Sequence, residues 1–466
     1  MFGFRIVLGL CAALWVLVSP ASGKDFPRGE IIDSVSTAID PEQSYALYLP
    51  SNYSAERTWP LLLVFDARGR GARTAEFFRR GAERYGYILA SSNNSASDAG
   101  WEPMQKSATA LFDDLPKRFR VHPRRIYMAG FSGTSRAVAG IAHGLPEVAG
   151  VIAASGALAP ETVPEAGLPF ACFATAGTGD FNFWETQHLD FHLQERGITA
   201  RFEGFDGGHT WPPEEIAFEA LGWMELRAMA EDLRPIDQDL VAELEEDWTQ
   251  DAEALESKGD LLGAYLRYRE LHADFEGLAD TSDLAAAVQR LAKQKQVTEG
   301  LAETRRVASW EAARQREMDV LYTRLVQYDT QPGPTFLSEG RRYIQHLQRV
   351  VRKSDSPEEA DAARRVLALI ATRTSFYYPR ELLGKGEYAR AVTSLRLATE
   401  IRPNDVRAWY NLACAQARLG RKKPAYEALE RAVASGFSNA DHLRNDEDLK
   451  SLRGEKRFEA LLGSLE

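Results

Sequence analysis

Apolar residues recur in two different rhythms along the chain. Between about residues 30 and 230 they gather in short runs bounded by turn residues: Tyr45–Pro50, Leu61–Asp66, Tyr85–Ser92, Arg125–Phe131, Val148–Ser155, Pro169–Gly177 and Thr199–Phe205. Runs of this length, closed by Gly, Pro, Asn or Asp, read as strands. Between them lie amphipathic stretches such as Ala108–Phe119 and Trp184–Gly197, long enough for helices. Strands alternating with helices predict a mostly parallel sheet flanked by helices, an α/β fold, here placed at residues 24–232.

After about residue 233 the strand-like runs stop. Asp237–Leu291 is rich in Ala, Leu, Glu, Arg and Lys, which favour helix. Gly386, Ala391 and Ala398 recur as Gly420, Ala425 and Ala432, 34 residues on. Small residues at that period let paired antiparallel helices approach and stack, as in the tetratricopeptide repeat. The resemblance is carried by "AWYNLACAQARLGRKKPAYEALERAV", with Trp409, Leu412, Gly420, Ala425 and Ala432 at the repeat's spacings. A degenerate copy is expected around Gly259, Ala264 and Tyr268, and a turn or hinge at Asp329–Thr335. The chain past 233 is therefore expected to be all-α, with a degenerate-repeat region at 233–370 and a tetratricopeptide repeat region at 371–466. Such a stack braces its neighbour, docks on the catalytic face, dimerises or binds a protein partner, and the pattern alone leaves these open.

Length agrees with several folded units, since 466 residues exceed the roughly 100 to 200 of one ordinary domain. The net charge of −11 argues against nucleic-acid partners, which require a concentrated basic surface. Arg5, the apolar run Ile6–Val18 and the small residues Ala21 and Gly23 read as a cleaved secretory signal over residues 1–23, with an uncleaved anchor as the alternative. The expectation is a periplasmic or secreted protein with no membrane span in the mature chain. Cys11 leaves with the signal, and Cys172 and Cys414 are expected as free buried thiols. No cluster has metal-ligand spacing and no nucleotide-binding glycine loop occurs, so neither metal nor cofactor is expected.

The candidate chemistry starts at "IYMAGFSGTSRA", where Ser132 stands between a predicted strand and a predicted helix. A nucleophilic serine at such a corner needs small neighbours, because the backbone is crowded there. Gly130 and Gly133 supply them, whereas Thr134 occupies the place of the last glycine in the GxSxG pattern. Later strands end in "TGDFN" and "DGGHTWPP", which put Asp180 and then His209 in the loops where an acid and a base belong. The other seven histidines read as surface or packing residues.

The segments "HPRRIYMAGFSGTSRA", "GTGDFNF" and "GGHTWP", in this order, resemble the α/β-hydrolase superfamily. More narrowly, they resemble small esterases related to dienelactone hydrolases, polyhydroxybutyrate depolymerases and feruloyl esterases. The resemblance spans about residues 30 to 230 and implies a triad of Ser132, His209 and Asp180. It also implies an oxyanion hole built from the amide of Gly133 and a second donor after Leu61–Asp66, assigned to Ala67. Trp101 is a candidate substrate-pocket wall. Arg68, Arg70 and Arg73 read as a solvated loop, with attraction of an acidic substrate as the alternative. The absence of a lid-sized insertion between Ser132 and Asp180 predicts an open site. The expected function is an exported serine hydrolase that cleaves a small-molecule or polymer carboxylic ester through an acyl-enzyme. The alternatives are a peptidase or amidase with the same triad, or a repeat-based scaffold beside an inactive hydrolase half.

Overall fold

A computed structural model describes residues 26–97, 100–156, 168–195, 198–327 and 334–465. The expected signal, 1–23, and most of the Asp329–Thr335 hinge lie outside them.

Eight strands form a single sheet: β1 (Ile31–Ser36), β2 (Ser44–Tyr48), β3 (Trp59–Phe65), β4 (Ile88–Ser92), β5 (Val121–Phe131), β6 (Val148–Ala154), β7 (Ala171–Gly177) and β8 (Ala200–Phe205). Their order is β1-β2-β4-β3-β5-β6-β7-β8. β2 runs antiparallel to β1 and β4, and every pair from β4 to β8 is parallel. The predicted apolar runs form β2 through β8. β1 was not anticipated, because this edge strand is mostly exposed and carries no sustained apolar run.

Five helices cover the sheet: α1 (Gly71–Tyr85), α2 (Trp101–Arg118), α3 (Gly133–His143), α4 (Phe183–Glu195) and α5 (Glu214–Ala230). The two-residue period of β3 divides its side chains between them. Leu62 and Val64 join α1 and α5 in one core, and Leu61, Leu63 and Phe65 join α2, α3 and α4 in another. Cys172 on β7 and Cys414 further along are buried thiols outside any disulfide.

The remaining helices are α6 (Gln238–Ser257), α7 (Leu261–Phe275), α8 (Ser282–Leu291), α9 (Lys295–Gln327), α10 (Pro334–Lys353), α11 (Pro357–Thr372), α12 (Tyr378–Gly384), α13 (Tyr388–Ile401), α14 (Val406–Arg418), α15 (Lys422–Ala434), α16 (Ala440–Asn445) and α17 (Lys456–Gly463). The α1/α5 core continues without a break into Leu240, Trp248, Leu271, Leu291 and Val297. Buried ion pairs stitch the same junction: Arg201 of β8 contacts Asp274 of α7 at 2.8 Å, and Arg267 of α7 contacts Glu219 of α5 at 2.7 Å. A separate core runs from Met318 to Leu462. The expected repeat glycines Gly259, Gly386 and Gly420 all have positive φ, 84°, 73° and 71°, at the tight turns between paired helices. Between α11 and α12 the chain makes a π-helical turn, Arg373–Tyr377. No helix among the described residues is long and apolar enough to cross a membrane.

Candidate active site

The backbone at the end of β5 turns sharply into α3, and Ser132 takes the corner with φ 58° and ψ −120°. A non-glycine residue is held in so sparsely populated a region only when its surroundings over-determine it. Those surroundings are tight on three sides. A Cβ on Gly130 would lie 2.7 Å from the backbone of Ser135, one on Gly133 would lie 2.6 Å from Ser97, and one on Gly156 would lie 2.6 Å from the Ser132 carbonyl. Thr134, the departure from the glycine pattern, is fully buried. Its hydroxyl accepts the Phe131 N–H at 3.0 Å and lies 2.6 Å from the Phe65 carbonyl, to which it donates. The threonine thereby ties the corner to the end of β3.

β7 ends in the loop that carries Asp180, and β8 ends in the loop that carries His209. The loops can nest because Gly177 has no side chain: a Cβ there would meet the carbonyls of Gly207 and Gly208 at 2.5 Å. His209 Nε2 lies 3.0 Å from Ser132 Oγ, and Nδ1 lies 3.0 Å from each Asp180 oxygen. With a buried carboxylate at Nδ1, the proton belongs on that nitrogen, leaving the Nε2 lone pair facing the hydroxyl. Asp180 is fully buried and also accepts the Asn182 N–H at 2.8 Å. The imidazole sits between Phe131 and Phe181, with centroid distances of 4.8 and 4.3 Å. The three predicted residues are thus brought together in one hydrogen-bonded line.

The loop after β3 is organised by Asp66, whose part was not anticipated. Arg70 donates to both carboxylate oxygens at 2.8 Å, Trp211 Nε1 donates at 2.9 Å and the Arg68 N–H at 2.9 Å. Burial pushes the Asp66 carboxyl up, but the bonds from Arg70, Trp211 and Arg68 and the charge of Arg70 outweigh it, holding the group below the usual carboxylate range. This clamp holds Ala67 in the wall of the cavity that Ser132 also lines. The backbone amides of Ala67 and Gly133 donate to no acceptor among the described residues.

The sheet order, the strained serine corner and the loops after β7 and β8 are those of one architecture. The fold is that of an α/β-hydrolase, continued by tetratricopeptide helices. Profiles of the TPR repeat and the tetratricopeptide repeat match residues 380–420 and 406–435. A chloroplastic protein from Arabidopsis thaliana is 40% identical over 53 residues, 11% of this chain and 16% of that protein. Solved structures give remote likenesses. The S-formylglutathione hydrolase of Staphylococcus aureus is 16% identical over 42% of this chain and 98% of its own, at a TM-score of 0.35. An esterase of Pyrobaculum calidifontis is 16% identical over 44% and 86%, also at 0.35. A thermostable esterase is 17% identical over 41% and 60%, at 0.31.

Two expectations are corrected. Trp101 does not wall the cavity at Ser132: it opens α2, is 50% exposed, is absent from the cavity lining and turns its ring edge toward Gly140 of α3. Nor is the site left open as the hydrolase half alone would leave it: the helical half covers part of it. A partly enclosed cavity of about 580 Å³ is lined by Ser132 and His209, and its second wall comes from Ser375, Phe376 and Tyr377 of the π-helical turn and from Arg402, Asp405 and Arg407 at the entrance to α14. Ser132 itself is 8% exposed. These wall residues lie more than 200 positions from the serine, and no local pattern links them to it.

Proposed function

We propose that the protein is a serine hydrolase of carboxylic esters. The single observation carrying this reading is the unbroken line from Ser132 Oγ through His209 to Asp180, built on a strained corner. A serine hydroxyl is a weak nucleophile at neutral pH, so His209 takes its proton as Oγ attacks the ester carbonyl. Asp180 fixes the ring and stabilises the imidazolium that forms. The oxyanion of the tetrahedral intermediate is received by the unpaired amides of Gly133 and Ala67, each worth on the order of 3 kcal/mol in comparable sites. His209 then returns the proton to the leaving alcohol, and water releases the acyl group from Ser132 by the same steps in reverse.

The test is hydrolysis of 4-nitrophenyl acyl esters, with the matching anilides alongside, by wild type and Ser132→Ala, together with labelling by a fluorophosphonate probe. Ester turnover and labelling that both vanish in the variant support the reading; equal rates in the two proteins overturn it. Turnover of the anilides as well as the esters would widen the reaction to amides. Export is part of the same proposal and is supported by the charge and apolar pattern of residues 5–23. N-terminal sequencing of protein recovered from the periplasm or medium checks it, the expected start lying just past Gly23.

A further inference from the structure

We propose that the repeat half is part of the substrate pocket and that it selects esters carrying a second, anionic group. This rests on the hydrolase reading above and names its substrate class. The cavity at Ser132 is lined from one side by Arg68, Arg70 and Arg73 and from the other by Arg402 and Arg407. Arg70 is spoken for by Asp66. Arg68, Arg73, Arg402 and Arg407 have no ion-pair partner among the described residues. The one acid in the lining, Asp405, is engaged in capping α14, accepting the Ala408 N–H at 3.0 Å.

A protein of net charge −11 therefore lines the cavity of its candidate nucleophile with an excess of cations. Four exposed arginines border one partly enclosed space from two sides, and the positive potential they set up there favours an anionic occupant. Phe376 holds the Arg407 guanidinium 5.5 Å from its ring centroid, so this charge is positioned against the cavity wall. Guanidinium forks match a carboxylate or phosphate and contribute nothing comparable to an alkyl chain. The two walls belong to halves of the chain that meet only in the fold, so selection of the anion requires both to be in place.

The test uses the full chain carrying Ser132→Ala, titrated calorimetrically with monoethyl glutarate, which has an ester and a carboxylate, and with neutral diethyl glutarate. At low salt the anion is expected to bind about tenfold more tightly, and the preference should collapse near about 0.5 M salt. Adding Arg402→Gln and Arg407→Gln, or separately Arg68→Gln and Arg73→Gln, should cut the preference several-fold. Arg349→Gln with Arg352→Gln, the same loss of two charges outside the cavity, should leave it intact. Equal binding of the two ligands, no measurable binding of the anion, or a preference that survives both arginine pairs would overturn the proposal. Turnover of 4-nitrophenyl hydrogen glutarate against 4-nitrophenyl butyrate by the wild type separates the two readings. Hydrolysis of both without preference overturns the anion selection alone, whereas anion binding without hydrolysis of either ester overturns the hydrolase reading and supports the anionic pocket.

Discussion

Thr134 occupies the place where the serine motif usually has glycine, and its buried hydroxyl joins Phe131 to the Phe65 carbonyl across two strands. Thr134→Val keeps the shape and removes the hydroxyl, leaving the Phe65 carbonyl without that donor. Stability should fall by about 1–3 kcal/mol, read from denaturant midpoints, and ester turnover should fall with it. An unchanged midpoint would show that the tie carries no load. Asp66 makes a prediction about pH. Its carboxyl, ordinarily near 3.8, titrates lower in the folded chain, so the folded state binds its proton less readily than the unfolded one. The stability it contributes is complete above that ordinary value and is lost as pH falls through the folded one. Asp66→Asn should therefore be less stable at neutral pH by about 1–3 kcal/mol and should lose less stability on acidification. Parallel acid-unfolding curves for the two proteins would contradict this.

Helix α3 can begin directly beneath Ser132 only because Gly130 lets it press against β5. Gly130→Ala forces a methyl group into the Ser135 backbone at 2.7 Å, and overpacking of this kind costs about 1–3 kcal/mol. The expected outcome is a lowered melting temperature together with loss of fluorophosphonate labelling, because the serine corner must move; retained labelling would show that α3 can shift without disturbing it. This element also shows what local sequence can reveal. Ser132, Asp180 and His209 were legible because each follows an apolar strand, and strand ends in a parallel sheet converge on one edge. The helical turns were legible at Gly259, Gly386 and Gly420 because a repeat preserves the residue that permits positive φ. Arg402 and Arg407 were not legible, since their proximity to Ser132 is set by how two layers of helices stack, and Trp101 misled because an exposed aromatic beside a loop has the same local pattern as a pocket wall. Asp66 read as a strand end, while its clamp depends on Trp211, 145 positions away.

The two halves of the molecule are joined by polar anchors as well as by a shared core. Arg365 on α11 pairs with buried Glu311 on α9 and donates to the Thr178 carbonyl at 3.0 Å, two residues before Asp180. Arg365→Met leaves Glu311 buried without its counter-charge, which costs about 3–5 kcal/mol, and it frees the loop that carries Asp180. Faster proteolysis of the helical half and a lower turnover number are expected, and adding Glu311→Gln should restore stability more fully than turnover. If the double variant recovers both equally, the link from Arg365 to the Asp180 loop has no catalytic effect. The core that runs unbroken from the sheet into α8 has a further consequence, for the order of events during synthesis. The last strand is complete at Phe205, yet the outer face of α5 is not covered until α6 and α7, ending at Phe275, have been added. Roughly 70 residues of translation, several seconds at about 5–20 residues per second, separate a finished sheet from a sealed one. For that interval the nascent chain has an uncovered apolar face, which makes it a client for whatever chaperone or translocation machinery meets it first.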